Sequence, residues 1–335
     1  MTERMTEALP TRLPASGSAA STRVAAVDCG TNSVRLLVAE LPGDGELREL
    51  ARDMRITRLG QGVDRTGRLD PAAVERTLAA LRGYAEDIRR LGAERVRMVA
   101  TSASRDAANR DLFVTGVHEV LGVEPEVITG DEEARLSYLG ATAELRAAGD
   151  DAPPGPYLVV DIGGGSTEFV LGTDEVEAAR SVDVGCVRMT ERHLRDDPPT
   201  AEQVEAAVRD VDAAIALAAE TVPLDSARTL VGLAGSVTTV AGIALGLPAY
   251  DSVAIHGSRI PRRQVAEVTA RLLAMTRQER AALPVMHPGR VDVIGAGALV
   301  LDRVMARVGA AEVLVSEHDI LDGIALSLRP GASGG

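Results

Sequence analysis

Tyr157-Leu-Val-Val-Asp161-Ile-Gly163-Gly164-Gly165-Ser166-Thr167-Glu168-Phe-Val-Leu171 decides the fold class, because the chain carries a second version of it. Near the start, Val24-Ala-Ala-Val-Asp28-Cys-Gly30-Thr31-Asn32-Ser33 runs into Val34-Arg-Leu-Leu-Val38. Each is a short apolar run ending in Asp, a turn of Gly, Ser and Thr, and a second apolar run. The runs are too short for helices and rich in β-branched residues, so both units predict β-hairpins. Small residues in the turns let the backbone come close to a ligand. Backbone N–H and hydroxyl donors beside a carboxylate suit a phosphate chain and its metal ion. One such loop is a weak signal. Two matched loops predict two facing half-sites around a single phosphorylated ligand.

Outward from the hairpins, the same order of elements repeats. After the first, a third strand is predicted over Glu46–Met54. Asp70 then caps a helix with Pro71 at its first position, and Val74, Leu78, Leu81, Ala85 and Ile88 fall on one face. Arg95–Ala100 reads as a strand, Asp111–Leu121 as a helix, Glu124–Ile128 as a strand and 132–147 as a helix. After the second hairpin come a strand near Glu177–Val184, a helix over Ala201–Glu220 and a strand at Arg228–Leu233. Helices follow over Ser236–Leu245, Arg263–Met275 and Val291–Val308, then a strand at Glu312–Val315 and a last helix over His318–Leu328. Two copies of one mixed sheet predict two similar α/β domains with a cleft between them. The expected division is 23–134 and 135–328, with helix 318–328 free to pack back on the first domain. Residues 1–22 and 329–335 read as disordered tails.

The net charge of −13 argues against broad nucleic-acid binding, which needs a basic face. No apolar run is long enough to cross a bilayer, so no membrane association is expected. Two cysteines, Cys29 and Cys186, make no disulfide framework and point to a reducing cytoplasm. The chain contains no lysine, so Arg supplies every cationic side chain other than histidine. Any anion must therefore be met by a local arginine patch; Arg35, Arg55, Arg58, Arg105, Arg135 and Arg188 are candidates.

Four further segments carry chemistry-bearing residues. Thr129-Gly-Asp-Glu132-Glu133-Ala-Arg135 opens a helix with three acids, which serve either the helix dipole or, at a cleft, a general base. Arg105 follows a strand end, where open α/β sheets place ligands, but a surface cap with Asp106 explains it too. Gly235-Ser236 forms a strand–turn–helix that suits an anion, a nucleotide base or plain helix packing. Arg188 divides evenly between ligand contact and solvated charge. The histidines show no metal-ligand spacing, and His118 reads as a structural residue within an apolar helix pattern.

Taken together, the two loops, Thr101–Arg105, Glu132-Glu133-Ala-Arg135 and Gly232-Leu-Ala-Gly235-Ser236 resemble the exopolyphosphatase and guanosine pentaphosphate phosphatase family of the actin/sugar-kinase/heat-shock ATPase superfamily. The resemblance covers about residues 23–328. It implies two ribonuclease-H-like domains, Mg²⁺ or another hard divalent cation, polyphosphate or guanosine pentaphosphate as substrate, and a homodimer. It also implies site residues: Glu133 as catalytic base, Asp161 and Glu168 as acids for metal and water, and Asp28 as the metal-side acid of the first loop. Gly30, Thr31, Asn32 and Ser33, Gly163, Gly164, Gly165 and Ser166, and Gly235 with Ser236 would hold phosphates. Arg105 would hold phosphate or steady charge in the transition state. The family's Arg-Glu-Gly in the last helix is here Leu321-Asp322-Gly323, and the additional C-terminal helical domains of its longer members are not found.

The expected reaction is removal of a terminal phosphate from polyphosphate, preferring short chains. Guanosine pentaphosphate 5′-phosphohydrolysis, an ATP-dependent kinase and a non-enzymatic alarmone-binding regulator remain alternatives. Glu168 stands at the exit of the second loop where the first is read as having Val34. That asymmetry makes the second loop the expected chemical side and the first the side that holds the chain.

Overall fold

The computed structural model describes residues 21–43 and 46–329. Most of both expected tails lies outside them, although Thr22 already opens the first strand. The first half contains β1 (Thr22–Cys29), β2 (Ser33–Leu41), β3 (Arg48–Ile56), α1 (Val63–Thr66), α2 (Pro71–Leu91), β4 (Arg95–Ala100), α3 (Ser102–Arg105), α4 (Asp111–Leu121) and β5 (Glu126–Val127). Helix α5 (Gly130–Ala147) links the halves. The second half contains β6 (Tyr157–Ile162), β7 (Thr167–Gly172), β8 (Val176–Val182), α6 (Cys186–Arg192), α7 (Ala201–Ala219), β9 (Thr229–Leu233) and α8 (Ala234–Ala244). It ends with α9 (Ser252–Ile255), β10 (Arg259–Pro261), α10 (Arg262–Ala274), α11 (Arg277–Ala281), α12 (Ile294–Val308), β11 (Glu312–Val315) and α13 (Ile320–Ser327).

The first sheet has the order β3-β2-β1-β4-β5, and the second β10-β11-β9-β6-β7-β8. In each, a hairpin pairs antiparallel and its first strand pairs parallel with the strand that follows a long excursion. This is the ribonuclease-H-like order, present twice. A parallel partner requires a crossover of a dozen or more residues, which α2 and α7 supply. The start of α2 follows its sequence: the Asp70 carboxylate accepts from the N–H groups of Ala72 and Ala73, and Pro71 occupies the first turn. Its buried face is wider than the periodicity predicted and includes Tyr84, whose hydroxyl donates to the Val34 carbonyl at 3.0 Å.

Helices α2 and α4 cover one face of the first sheet. The other face meets α13, the last helix, through Ile320, Leu321, Ile324 and Ala325. Helix α5 in turn covers β6 and β7 through Ala134, Tyr138 and Ala141. The two helices therefore lie between the sheets and cross at glycine. A Cβ on Gly140 would stand 1.9 Å from the Asp319 carbonyl oxygen, and one on Gly323 1.9 Å from that of Leu136. Asp322 binds Arg52 at 2.6 Å and ties α13 to β3.

Predicted and observed elements differ mainly at their ends. The 124–128 strand shrinks to Glu126–Val127, because only Val99 and Ala100 of β4 are in register with it. Short helices α1, α3 and α6 were not predicted; none is long enough to show a period. His118 is exposed on α4, whose inward face is formed by Phe113, Gly116 and Val117.

Candidate active site

The two loops have the same hydrogen-bonded turn. Gly30 N–H donates to the Ser33 carbonyl and Gly163 N–H to the Ser166 carbonyl, both at 3.0 Å. Each loop is also buttressed alike by backbone from downstream. Thr57 and Arg58 N–H reach the Asn32 carbonyl, and Gly60 N–H that of Thr31. Cys186 N–H reaches the Gly163 carbonyl, and Val187 and Arg188 N–H that of Gly164. The loops touch across the cleft. A Cβ on Gly164 would meet Thr31 Cβ at 2.8 Å, and one on Gly165 would meet Ser102 Oγ at 2.7 Å. The backbone at 164 and 165 thus comes as close to the first loop as a residue without a side chain allows.

Between the loops lies a small cavity of about 100 Å³, lined by Asp28, Glu133, Asp161 and Glu168 among others. All four carboxylates are buried. Burial pushes Glu133 up to about 7, against the pull of the Arg105 guanidinium. Burial, then repulsion from Asp319, pushes Asp161 up to about 6. Burial, then Glu133 and Asp161, pushes Glu168 well above the usual carboxylate range. Each is held from one side. Arg105 Nη1 donates to Glu133 Oε2 at 3.0 Å, Ser137 Oγ to Asp161 Oδ2 at 2.7 Å, and Ser181 Oγ to Glu168 Oε1 at 2.8 Å. Ser166 is a further hydrogen-bonding neighbour of Glu168.

Asp28 differs. Arg35 Nη2 donates to its Oδ2 at 2.7 Å, and the same guanidinium also binds Asp319, which caps α13. Asp28 Oδ1 is buried with no hydrogen-bond partner. An orphaned carboxylate oxygen among three more buried acids is a donor set that fits a hard divalent cation.

Strand register corrects one expectation. Asp161 pairs with Glu168, and Asp28 pairs with Arg35. The residue equivalent to Glu168 is therefore Arg35, not Val34, which lies opposite Cys29. Arg105 is corrected too. It does not line the acid cavity; its guanidinium donates to Glu133 and, at 3.0 Å, to the Ile128 carbonyl. The arginine patch is mostly prepaired: Arg35 as above, Arg55 with Asp53, Arg58 with Asp292, and Arg188 with Asp64 and Asp106. Arg135 is exposed and does not line the cavity.

Gly235 and Ser236 line the cavity as expected, at the start of α8, where Ala234 has φ of 68°. Arg290 was missed. It lies against Gly235, where a Cβ would stand 2.3 Å from the guanidinium carbon. It binds the Thr239 hydroxyl at 3.2 Å and Met54 Sδ at 3.4 Å, and forms no ion pair among the described residues. It lines both the acid cavity and an adjoining one of about 730 Å³. Only the glycine beside it signalled its presence. At the edge of the large cavity, His256 and His318 meet Glu144, with His256 Nε2 2.7 Å from a Glu144 oxygen. Linear spacing could not show this cluster. Glu317 N–H donates to His256 Nδ1, which puts the imidazole proton on Nε2 facing Glu144.

Residues 38–331 match the model of the Ppx/GppA phosphatase family. The chain belongs to that family. Exopolyphosphatase 2 of Mycobacterium tuberculosis is 54% identical over 321 residues, spanning 92% of this chain and 99% of that protein. A guanosine-5′-triphosphate,3′-diphosphate pyrophosphatase of Photobacterium profundum is 30% identical over 310 residues, spanning 92% of this chain but 57% of that protein. A solved exopolyphosphatase-like protein, 46% identical, superposes with a TM-score of 0.88 and covers 92% of this chain and 98% of its own. This Ppx/GppA chain is an α/β protein of two actin-like domains, and no helix among its described residues is long and apolar enough to cross a membrane.

Proposed function

We propose that this Ppx/GppA phosphatase is an exopolyphosphatase that hydrolyses the terminal anhydride of inorganic polyphosphate with Mg²⁺. The observation that carries the reading is Glu133. It is a buried carboxylate raised to about 7, in one cavity with the orphaned oxygen of Asp28 and between two facing glycine loops. A base that titrates near the working pH is suited to taking a proton from attacking water. Arg105 fixes its carboxylate plane from behind.

Asp28, Asp161 and Glu168 would hold the cation, which neutralises charge on the transferring phosphoryl group. Glu168 and Asp161 would also orient the water, each steadied by a serine hydroxyl. The backbone of Gly30–Ser33 and Gly163–Ser166, with Gly235 and Ser236, would hold the terminal phosphates. Arg290 would meet the next ones, as a cationic side chain in the cleft with no ion pair among the described residues. Catalysis of this kind is mostly positioning and electrostatics. A chain of net charge −13 draws affinity from this local set alone, which favours short polyphosphates over long ones. A homodimer in a reducing cytoplasm belongs to the same proposal, tested by sedimentation and by fractionation.

The 730 Å³ cavity beside the phosphate cleft favours a second reading, guanosine pentaphosphate 5′-phosphohydrolysis, because it has room for a nucleoside. One panel decides: short and long polyphosphate, guanosine pentaphosphate and ATP, each with and without Mg²⁺, with phosphate release measured. The proposal expects the highest kcat/KM on short polyphosphate and loss of release in Glu133→Gln. Wild-type turnover by that variant sinks the assignment of the base.

A further inference from the structure

Arg188, on α6, points each arm of its guanidinium at a different segment. Nε donates to the Gly165 carbonyl at 2.6 Å, Nη1 to Asp64 at 2.7 Å and Nη2 to Asp106 at 2.6 Å. Gly165 belongs to the second glycine loop, Asp64 to α1, and Asp106 directly follows α3. The side chain is only 11% exposed, so it is not a solvated charge. It does not line the acid cavity either, so it is not a ligand contact there.

Helix α6 begins without a side-chain cap. Its first N–H groups bind loop carbonyls instead: Cys186 N–H that of Gly163, and Val187 and Arg188 N–H that of Gly164. The next carbonyl, Gly165, is taken by the Arg188 side chain. All three peptides are trans, and a trans peptide sends its N–H opposite to its C=O. The N–H groups of Gly164, Gly165 and Ser166 therefore point away from these partners, and none has an acceptor among the described residues. Ser166 lines the acid cavity. In the first loop the equivalent carbonyl, Asn32, is held by the backbone N–H groups of Thr57 and Arg58. In the second loop the same peptide depends on one side chain.

We propose that Arg188 is a positioning residue: through the Gly165 carbonyl it turns the Gly165–Ser166 peptide so that the Ser166 N–H meets the phosphoryl group being transferred. The inference rests on the reading of the loops as a phosphate cradle. Asp64 and Asp106 keep the guanidinium in plane, and Asp64 is held by Arg192 as well, at 2.7 Å. A lysine has no planar fork and cannot serve the carbonyl and both acids together. An N–H aimed at developing charge lowers the barrier more than it tightens substrate binding. Loss of Arg188 therefore acts on kcat rather than on KM.

The test compares the wild type with Arg188→Gln, Arg188→Lys and Asp106→Asn in two measurements. One is phosphate release from tripolyphosphate with Mg²⁺. The other is calorimetric binding of orthovanadate with Mg²⁺, as a mimic of the five-coordinate transition state. Both Arg188 variants lower kcat about tenfold to a hundredfold, since a donor is turned rather than removed, and leave KM within about threefold. Vanadate binding weakens by the same factor as kcat. Asp106→Asn lowers both by about threefold and carries the test if the Arg188 variants fail to fold. A residue that merely tied the domains together would lower the melting temperature, be rescued by lysine and leave vanadate affinity alone. Three results overturn the proposal: wild-type kcat in both Arg188 variants, a loss of kcat with unchanged vanadate affinity, or, where those variants do not fold, unchanged vanadate affinity in Asp106→Asn. Vanadate binding needs no turnover, so failure of the exopolyphosphatase reading shows up separately, as absence of phosphate release by the wild type.

Discussion

The two glycine loops share a turn, a buttress and a strand register, yet their chemistry diverges at one position. Seven residues after the loop aspartate stands Arg35 in the first and Glu168 in the second. The guanidinium neutralises Asp28 and Asp319 and ties the loop to α13. The glutamate instead lies beside Glu133 and Asp161, whose charges add to burial in raising its own proton affinity. In the proposed function, this one difference of charge sign would divide a duplicated scaffold into a holding side and a reacting side. The largest expected effect separates these roles. Glu168→Gln, which removes a water-orienting acid as well as a cation ligand, should lower kcat by roughly 10²–10⁴-fold with little change in KM and keep most of that loss at saturating Mg²⁺. Asp28→Asn should mainly raise the Mg²⁺ concentration needed for half-maximal rate and recover most of kcat at high Mg²⁺. If both variants show the same pattern in Mg²⁺ titrations of kcat, the loops are not divided in this way.

Stability offers the next test. Arg35 is a partly buried cation between two buried carboxylates, so removing it leaves two uncompensated charges. Arg35→Met should cost about 3–5 kcal/mol in a denaturant melt without Mg²⁺. Double replacement with Asp28→Asn should recover part of the loss. Equal stability of Arg35→Met and wild type breaks the comparison from the side of the first loop.

The acids around the second loop predict a pH dependence of the opposite kind. Glu133 rises from 4.5 to about 7 and Asp161 from 3.8 to about 6 on folding, so the native state binds more protons than the unfolded chain between those values. Stability is then highest at the acid end of the window and falls as pH rises from about 4 to 7. For Glu133 alone the fall is on the order of 3 kcal/mol. Melting temperatures of the metal-free protein should therefore drop across this range, and Mg²⁺ added at pH 8 should restore part of the loss. A metal-free melting temperature that rises from pH 4.5 to 7 contradicts the assignment.

The parts of this division that were legible in the sequence are those carried by local pattern. Both hairpins, β4, α4 and β11 follow from runs of apolar residues bounded by polar turns. Glu133, Asp161 and Glu168 were named through the family resemblance, and the structure brings all three to one cavity. Arg35 was misjudged by one residue, and in a strand one residue changes the face. Arg290, Ser137, Ser181 and the His256–His318–Glu144 cluster left almost no trace. Each joins its partners across 13 to 236 residues, and periodicity carries no information about which side chains converge at such separations. The role of Arg105 was readable only from its acceptors, Glu133 and the Ile128 carbonyl.

The smallest expected effect concerns the glycines. Both loops place glycine two residues after the aspartate, at Gly30 and Gly163, and the second loop has a further glycine, Gly164, where the first has Thr31. The surroundings of Gly30 and Gly164 differ. At Gly30 the nearest atom to an added Cβ is the Ser33 carbonyl oxygen at 3.6 Å, an ordinary contact. At Gly164 it is Thr31 Cβ at 2.8 Å, and Val187 closes the other side at 3.3 Å. Neither position has a positive φ, so backbone strain does not enter and crowding alone separates them. Gly164→Ala should push the loops apart and cost about 1–3 kcal/mol, with a matching loss of kcat/KM as the phosphate cradle widens. Gly30→Ala should stay within about 0.5 kcal/mol of wild type. Thr31→Ser removes the methyl that Gly164 faces, so Gly164→Ala should be milder in that background. The double-mutant cycle then reads the contact between the two half-sites directly. A coupling energy of zero would mean that the loops act on phosphate without touching each other.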